Sequence, residues 1–462
     1  MINQETIVAL ATPSGAGAIA VIRLSGEDAI VFAENQFKTV SGKLLSKQAT
    51  HTIHLGHIID GNKTIDEVLV SVFKNPNSYT GENVVEISCH GSNYIQQEII
   101  QLFLRNGCRM ATAGEFTLRA FLNGKLDLSQ AEAVADLISS ENEASHQIAM
   151  QQMRGGFSSE IAKLREELLN FASLIELELD FAEEDVEFAD RTQFKILVER
   201  ITFVLKRLID SFAVGNVIKN GIPVAIVGET NVGKSTLLNV LLNEDRAIVS
   251  EIAGTTRDTI EDEISIGGIG FRFIDTAGIR ETKDVIESIG IKKTFEKIEQ
   301  SQVVIYLFDC ERSISNLDSV NIEIGKIKNK YPQKSLLVIA NKIDVLDDIQ
   351  LAKLNTEIDN VLLLSAKTGF GVEQLTNSLL SLINTGALRN NETIITNSRH
   401  YDALLKAFEE IQKVNQGLDS GLSGDLLAID IRQALYHFGE ITGEITNDDL
   451  LGNIFANFCI GK

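Results

Sequence analysis

A glycine-rich loop at residues 228–235 limits the middle of this chain to one kind of fold. The loop reads Gly-Glu-Thr-Asn-Val-Gly-Lys-Ser, a complete G-x-x-x-x-G-K-S motif, between the apolar run 222–227 and the helix-like run 236–242. In a strand–loop–helix unit, the backbone N–H groups of such a loop close around phosphates. Lys234 can reach the β- and γ-phosphates, and the Ser235 hydroxyl suits Mg²⁺. The motif predicts a nucleoside triphosphate site on a doubly wound α/β sheet.

A second motif, N-K-x-D at residues 341–344, follows the apolar strand 336–340 and predicts which base is bound. An Asp carboxylate accepts from the N1–H and N2–H of guanine, a donor pair that adenine lacks, so a buried Asp344 predicts guanine specificity. Asn341 can bond the base and hold the phosphate loop, and the Lys342 stem can cover the ring. A backbone N–H for the guanine oxygen could come from the residues that follow another apolar strand: Ser365, Ala366 and Lys367.

Two further motifs lie between the phosphate loop and the base motif. Asp275-Thr276-Ala277-Gly278 follows the strand-like run 271–274, so Asp275 would hold the Mg²⁺ shell and the Gly278 amide would contact the γ-phosphate. Upstream, Gly254-Thr255-Thr256-Arg257-Asp258 fits a first switch segment, in which Thr256 completes the Mg²⁺ shell. Four motifs in this order, each at a strand end, predict a Ras-like P-loop GTPase domain.

The residue after Gly278 departs from a common GTPase pattern. Many GTPases place a Gln there to orient the attacking water, whereas this chain has Ile279, whose side chain cannot hydrogen-bond. Either hydrolysis is very slow or a group elsewhere positions the water. The charged run 280–287 holds candidates, but the residues alone do not choose among them, and a solvated charge without a catalytic role stays open for each.

Composition excludes several classes of protein. The chain has 462 residues, enough for two or three domains, and its net charge of −22 argues against a broad basic face for nucleic acid. A local patch or a basic partner could still bring nucleic acid to it. No apolar run reaches about 18 residues, so no membrane span is expected, and the first residues lack a signal-peptide pattern. The four cysteines show neither disulfide nor zinc spacing, which favours a reducing cytoplasm.

Apolar residues recur at helical spacing on both sides of the GTPase segment. One stripe follows Gly155-Gly156 and the next follows an acidic break at 183–185, so we expect turns at these two places. The range 398–438 looks helical as well. Ser129 and Glu132 form a capping-box pattern at the start of the first helix. These long amphipathic helices predict a helix–helix core rather than a cofactor site.

The patterns together predict a multidomain α/β protein. In residues 1–120, the strand-like runs 6–11, 18–24 and 84–88 are interspersed with helical runs such as 94–104, which predicts a small α+β N-terminal domain. Residues 121–220 and 384–462 predict the two parts of one all-α helical bundle, into which the GTPase domain at 221–383 is inserted. Such insertion is tolerated where chain ends lie close together.

Motifs near both ends of the chain carry a resemblance to a known family. Those in the N-terminal part are Glu5-Thr6-Ile7-Val8-Ala9, Ile22-Arg23-Leu24-Ser25-Gly26, Tyr79-Thr80-Gly81-Glu82, Cys89-His90-Gly91, Gly114-Glu115-Phe116-Thr117 and Lys125-Leu126-Asp127-Leu128. Cys459-Ile460-Gly461-Lys462 matches the C-terminal signature of the same family. Over essentially its whole length the chain resembles the MnmE (TrmE) family of tRNA-modifying GTPases.

The resemblance implies a function that the GTPase motifs alone do not. Family members form homodimers through the N-terminal domain, which binds a 5-formyltetrahydrofolate-type one-carbon donor. In a heterotetrameric complex with the FAD-carrying flavoprotein MnmG (GidA), they add an aminomethyl or carboxymethylaminomethyl group at carbon 5 of the wobble uridine of certain tRNAs. The folate contacts of the family match Arg23, Glu86, Lys125 and Lys462. Such charges suit the carboxylates and N–H groups of a folate.

The resemblance also assigns groups to the hydrolysis of GTP. A Glu that acts on the attacking water matches Glu287, and K⁺ takes the place of an arginine finger. The K⁺ ligands match Asn231, Ser250, Ile252 and Thr255, while Ser235 and Thr256 are the expected Mg²⁺ ligands. The expected GTP-binding residues are Asn231, Val232, Gly233, Lys234, Ser235, Thr236, Ser250, Glu251, Ile252, Ala253, Gly254, Thr255, Thr256, Asp275, Thr276, Ala277, Gly278, Asn341, Lys342, Asp344, Ser365, Ala366 and Lys367.

Cys459 is the expected thiol of the one-carbon chemistry, although a purely structural role stays open. The segment 450–458 before it has an apolar stripe, so we expect the C-terminal residues to dock near the folate pocket instead of forming a flexible tail.

Two other classes of GTPase remain as alternatives. A nucleotide switch of the ribosome-assembly kind shares the phosphate-loop Asn and the apolar residue at 279, but it gives no reason for the N-terminal domain. A dynamin-like membrane GTPase fits the long helices, but no basic amphipathic face supports it. Wobble-nucleoside analysis and liposome co-sedimentation would separate these readings.

Overall fold

The computed structural model describes residues 5–180, 190–246, 262–274, 295–382, 393–446, 448–456 and 458–461. The chain divides into two compact units. One unit comprises residues 1–139, 149–205 and 402–462, and the other comprises residues 140–148 and 206–401. The fold is multidomain α/β, as predicted.

In the first unit, the described residues form a seven-stranded sheet with the order β3-β4-β5-β6-β2-β1-β7. The strands are β1 (Ile7–Leu10), β2 (Ile19–Ser25), β3 (Phe37–Thr39), β4 (Thr52–Asp60), β5 (Lys63–Phe73), β6 (Val84–His90) and β7 (Arg109–Met110). Alternate residues of β2, such as Ile22, pack beneath α1 (Ala29–Gln36) and α2 (Asn93–Arg105). The predicted strands at β1, β2 and β6 are confirmed. The β4–β5 hairpin was not predicted from the sequence.

The helices of this unit come from both sides of the GTPase segment. Their bounds are α3 (Glu115–Leu122), α4 (Leu128–Ser139), α5 (Glu143–Met153), α6 (Gly156–Asp180), α7 (Arg191–Asn220), α13 (Ser398–Asp419), α14 (Gly424–Thr442) and α15 (Asp448–Ala456). Parts of α5, α7 and α13 belong to the second unit. α14 packs along α6, far away in sequence. The turn at Gly155 is confirmed by its positive φ of 77°.

One local prediction about these helices was wrong. The capping box at the start of α4 joins Asp127 and Gln130, whose side chains each accept from the other's backbone N–H at 2.8 and 3.0 Å. Ser129 and Glu132, the predicted pair, are buried. Both lie inside α4, which begins one residue before Ser129, so they cannot cap its start. The range 398–438 is helical, as predicted, and consists of α13 and α14 with a turn at Ser420 and Gly421 between them.

The second unit holds a six-stranded sheet, within the described residues, in the order β13-β12-β11-β8-β10-β9. Its strands are β8 (Ile222–Val227), β9 (Asp262–Ile266), β10 (Ile269–Phe273), β11 (Val303–Asp309), β12 (Ser335–Asn341) and β13 (Val361–Leu363). Its helices include α8 (Lys234–Arg246), α9 (Cys310–Ser313), α10 (Leu317–Lys330), α11 (Asp348–Glu357) and α12 (Val372–Ser381).

Helices cover both faces of this sheet. Val224 and Ile226 of β8 pack with α8 and α12, while Ala225 and Val227 pack with α10 on the other face. Except for the antiparallel edge strand β9, the paired strands run parallel. This is the predicted doubly wound sheet, so the carboxyl ends of β8, β11, β12 and β13 meet at one edge. Nowhere in the described part of the chain is a helix both long and apolar enough to cross a bilayer.

Candidate functional sites

The phosphate loop between β8 and α8 depends on three residues with positive φ angles. Gly228, Asn231 and Gly233 have φ of 150°, 65° and 101°. A Cβ on Gly228 would lie 2.0 Å from the Leu307 carbonyl oxygen of β11, so the loop can enter this turn only with glycine there. The chain is thereby wrapped tightly around the N-terminus of α8, where backbone N–H groups attract anions.

Lys234 occupies the centre of this loop. Its Nζ donates to the carbonyl oxygens of Gly228 and Glu229, each at 2.7 Å. Burial lowers the pKa of Lys234, and the nearby charge of Lys297 lowers it further. A phosphate bound at the loop would place a negative charge beside this ammonium. That fits the predicted role of Lys234, which is to bind the β- and γ-phosphates.

Asn341 joins the phosphate loop to the base motif. Its Nδ2 donates to the Val232 carbonyl oxygen at 2.7 Å, and its Oδ1 accepts from the Ala366 N–H at 3.0 Å. The side chain is almost fully buried. A Cβ on Gly233 would lie 2.3 Å from Nδ2, so this approach requires glycine in the loop. The Ala366 N–H, one of the predicted donors to a guanine oxygen, is thus engaged by Asn341 here.

Asp344 stands at the surface, although we expected it to be buried. It lies in the 3₁₀ turn Ile343–Val345 beyond the end of β12, where the chain leaves the sheet. Its Oδ1 accepts from the Ser365 hydroxyl at 2.6 Å, and this hydrogen bond holds the pKa of Asp344 below its ordinary value. The carboxylate is therefore ionised at neutral pH and fixed in orientation, as a receptor for paired N–H donors must be.

Lys342 has a partner that the sequence analysis missed. Its backbone has a φ of 69°, and its Nζ lies 2.5 Å from Oδ2 of Asp309, the buried last residue of β11. Asp309 and Asn341 are cross-strand partners at the carboxyl ends of parallel strands. A polar residue directly after the apolar run 303–308 was the signal available in the sequence, because ligands of doubly wound sheets bind at this edge.

Part of the predicted nucleotide site lies outside the described residues. Ser235 and Thr236 follow Lys234 in the first turn of α8, so the structure brings these two together with Asn231, Val232 and Gly233. The predicted residues outside the described ranges are Ser250, Glu251, Ile252, Ala253, Gly254, Thr255, Thr256, Asp275, Thr276, Ala277, Gly278, Glu287 and Lys462.

A second cluster of predicted residues lies on the N-terminal sheet. Arg23 of β2 and Glu86 of β6 are cross-strand partners and form an ion pair at 2.8 Å. The Arg23 guanidinium also lies over the rings of Tyr79 and Phe116, 5.4 and 5.6 Å from their centroids. Both charged side chains keep about a quarter of their surface exposed. Lys125 is exposed on the loop after α3.

A buried charge network supports the loop that carries Tyr79, and it was not predicted. Arg119 is 1% exposed and pairs with Glu82 at 3.0 Å and with Glu115 at 2.9 Å. Ser25 donates to Glu82 at 2.7 Å, and the Tyr79 hydroxyl lies 2.9 Å from that of Thr117. The network fixes the loop 79–82 beside Arg23, so the aromatic ring cannot swing away from the guanidinium.

Glu115 makes this network sensitive to acid. Burial alone would raise the pKa of Glu115, but hydrogen bonds from Arg109, the Thr112 N–H and Arg119 lower it to about 2. Because the folded-state pKa is lowered, the contribution to stability is complete above the unfolded-state value and is lost as pH falls towards 2. Glu115→Gln should therefore reduce the free energy of unfolding at pH 7 by about 3–5 kcal/mol.

Denaturant unfolding at pH 7 and pH 3 checks this prediction. The difference between wild type and Glu115→Gln should shrink at the lower pH. Glu5→Gln is the matched control, because the Glu5 side chain also pairs with Arg109 but is half exposed; it should change stability little. A Glu115→Gln protein as stable as wild type at pH 7 would contradict the account.

The C-terminal segment is docked on the N-terminal domain. Phe455 and Phe458 pack into a cluster with Leu128 and Ala131 of α4. Beyond them, Ile460 forms a bridge with Ala113, and the Gly114 N–H donates to the Cys459 carbonyl oxygen at 3.4 Å.

The docked residues lie close to the strand that carries Arg23. A Cβ on Gly461 would meet the Leu10 carbonyl oxygen at 2.0 Å, and Leu10 pairs with Ile22 of β2, next to Arg23. Cys459 itself is exposed. Residues far apart in sequence thus meet at the edge of the β1–β2 pair.

Comparisons with known proteins point to one family along the whole chain. The family model for the GTP-binding protein TrmE N-terminus matches residues 6–125, and that for the MnmE helical domain matches residues 128–459. Relatives named tRNA modification GTPase MnmE are 75% identical over 463 residues in Flavobacterium psychrophilum and 74% identical over 466 residues in Flavobacterium johnsoniae, with 100% of both chains covered in each case.

A more distant relative also matches over nearly its full length. The relative of that name in Cytophaga hutchinsonii is 56% identical over 461 residues, covering 100% of this chain and 98% of its own. A crystal structure of a probable GTP-binding protein engB is 19% identical and covers 35% of this chain and 97% of its own, at a TM-score of 0.26. The chain belongs to the MnmE family of tRNA modification GTPases, enzymes that hydrolyse GTP.

Proposed function

We propose that this chain, together with a flavoprotein of the MnmG (GidA) type, adds an aminomethyl or carboxymethylaminomethyl group at carbon 5 of the wobble uridine of certain tRNAs. The GTP-binding part of the proposal is supported by Asn341, which joins the phosphate loop and the base motif through two hydrogen bonds. The tRNA part is supported by the full-length relationship to proteins named tRNA modification GTPase.

In this proposal, one set of residues binds the phosphates and Mg²⁺, and another set binds the guanine base. Lys234 and the loop N–H groups hold the phosphates, and the Ser235 hydroxyl would hold Mg²⁺ together with Thr256. The ionised Asp344 accepts from the two guanine N–H donors, and Ser365 keeps its carboxylate in place. Asp344 is exposed in this structure, so the stacked base itself would have to exclude water from the pair.

The phosphate loop also fits a monovalent cation. Asn231 adopts the left-handed conformation at the exposed tip of the loop, next to the phosphate site. An amide oxygen there suits K⁺, which would supply positive charge to the transferring phosphoryl group. We propose Ser250, Ile252 and Thr255 as the other ligands and Glu287 as the residue that orients the attacking water.

We predict that K⁺ stimulates GTP hydrolysis through Asn231. GTP turnover should be faster in K⁺ than in Na⁺ buffer, and Asn231→Ala should abolish the difference while GDP binding is largely kept. Asn239→Ala, on the exposed side of α8, is a matched control that should keep the K⁺ response. Equal turnover of the wild type in both buffers, with and without the flavoprotein, would rule out this part of the proposal.

The N-terminal cluster fits a folate-type ligand. Arg23 offers a guanidinium for carboxylates, Glu86 offers a carboxylate for ring N–H groups, and Tyr79 and Phe116 line the same place with aromatic rings. Lys125 and Lys462 would add ammonium groups. A bound reduced folate would supply the one-carbon unit for the new group on uridine.

We predict that Cys459 is needed for tRNA modification and not for GTP hydrolysis. This exposed thiol lies on the docked C-terminal segment, which belongs to the first unit. The phosphate loop belongs to the second unit. Cys459→Ser should therefore abolish the modification and leave GTP turnover unchanged. Cys89→Ser, at a buried thiol, controls for general effects of losing sulfur. Normal modification by a chain that ends at residue 458 would refute the role.

We propose the following assembly. The N-terminal domain spans 1–120, the helical domain combines 121–220 with 384–462, and the GTPase domain spans 221–383. Two copies pair through their N-terminal domains in the cytoplasm and form a heterotetramer with the flavoprotein, which carries FAD. Light scattering of the mixed proteins tests the stoichiometry.

A further inference from the structure

The carboxylate of Asp309 makes two different contacts at the edge of the GTPase sheet. Its Oδ1 accepts from the Glu311 N–H at 3.1 Å and so begins α9. Its Oδ2 lies 2.5 Å from the Lys342 Nζ. Asp309 is 2% exposed. One buried carboxylate therefore connects the end of β11 to the side chain that follows β12.

We propose that Asp309 is a positioning residue for the guanine base, because it orients the Lys342 stem that covers the ring. The inference rests on the proposed function, in that it assumes the base lies against Lys342. Asp309 would not touch the nucleotide. It would act by holding the ammonium, so that the apolar part of the lysine side chain is already extended along the base site before the nucleotide arrives.

The surrounding charges support this pairing. A carboxylate as buried as Asp309 needs a positive partner. Among the described residues, Lys342 and Arg312 are the cations that form ion pairs with Asp309. The Arg312 Nε lies 3.6 Å from the Asp309 Oδ2, and the Arg312 side chain is 60% exposed. Lys342 is both closer and less exposed. It is therefore the main counter-ion.

The backbone fixes the other end of the lysine. Lys342 has a φ of 69°, a conformation that residues with a Cβ rarely adopt. Its neighbour Asn341 is held by hydrogen bonds on both sides of its amide. With the backbone fixed and the ammonium held by Asp309, the four-carbon stem has few rotamers left.

The expected effect is on affinity. Without the Asp309 charge, the lysine would have to be ordered by the nucleotide itself, and the rotamer freedom of a lysine corresponds to about a tenfold change in Kd. We expect Asp309→Asn to raise the Kd for GDP about tenfold and to leave kcat at saturating GTP near that of wild type. Asparagine keeps the oxygen that caps α9, since Asn and Asp cap helices equally well.

A double-mutant cycle tests the proposal. The Kd of a fluorescent GDP is measured for wild type, Asp309→Asn, Lys342→Ala and the double variant at one Mg²⁺ concentration. Asp309→Asn should weaken binding about tenfold when Lys342 is present and less than about twofold when it is alanine. The same factor in both backgrounds would overturn the proposal, because Asp309 would then act through the fold alone.

Controls separate the possible failures. Glu311→Gln changes the charge by the same amount at an exposed position of the same helix, and it should leave the Kd unchanged. If Asp309→Asn does not fold, Lys342→Met, which keeps an apolar stem without a charge, should weaken GDP binding by a similar factor; wild-type affinity in that variant would overturn the proposal. Wild type that fails to prefer GDP over ADP would refute the proposed function instead.

Discussion

Asp344→Asn should change the base preference of this enzyme from guanine to xanthine. The substitution replaces one acceptor oxygen with a donor amide, which faces the N–H donors of guanine but suits the carbonyl oxygen at position 2 of xanthine. Losing one hydrogen bond to a charged group and creating a donor–donor contact should weaken GTP binding by roughly 10²–10³-fold. Competition binding with GDP and xanthosine diphosphate measures the effect.

The structure makes this variant a clean test. The Ser365 hydroxyl can still donate to the remaining amide oxygen, so the 3₁₀ turn at 343–345 keeps its contact. Asp348→Asn is the control, because it removes the same charge from an exposed position nearby. An unchanged preference for guanine in Asp344→Asn would mean that the base does not bind at this turn.

Glu287→Ala should lower kcat for GTP by about 10²–10⁴-fold, the range found when a positioned acid–base group is lost. The reason is chemical: Ile279 stands where many GTPases have a water-orienting Gln, so another group must orient the water. GDP affinity should change little, since the base and phosphate contacts come from other residues. Single-turnover hydrolysis with saturating enzyme separates this effect from binding and product release.

A neighbouring acid distinguishes Glu287 from the rest of its segment. Glu281 lies in the same charged run, and Glu281→Ala should keep kcat within a few-fold of wild type. If Glu281→Ala loses activity and Glu287→Ala does not, the water is oriented by a different carboxylate. If both remain active, the catalytic group lies outside the run 280–287.

Local sequence patterns predicted the sheet of the nucleotide site well, because its strands and the loops that follow them are determined by residues close together in the chain. The apolar runs before the phosphate loop and before Asn341 are buried strands whose ends must meet at one edge of a doubly wound sheet. Asp309 obeys the same rule, yet it was missed, because a single Asp after an apolar run matches no motif. Its role depends on the register that places it opposite Asn341.

Long-range contacts explain the other differences between prediction and structure. Ser129 and Glu132 have capping-box spacing, but tertiary burial of both favours the Asp127–Gln130 pair, which caps α4 two residues earlier than predicted. Arg119 reads as one more charge on a helix until the fold surrounds it with Glu82 and Glu115. Neither outcome can be derived from spacing, since each depends on what packs above the helix.

Nucleoside analysis of bulk tRNA decides whether this chain modifies wobble uridine. A strain lacking the gene is complemented with wild type, with Cys459→Ser or with an empty vector, while the flavoprotein is expressed in all three. The account predicts that wild type alone restores the C5-modified uridine, although purified Cys459→Ser hydrolyses GTP at the normal rate. Unmodified wobble uridine in the strain carrying active wild-type enzyme would contradict it.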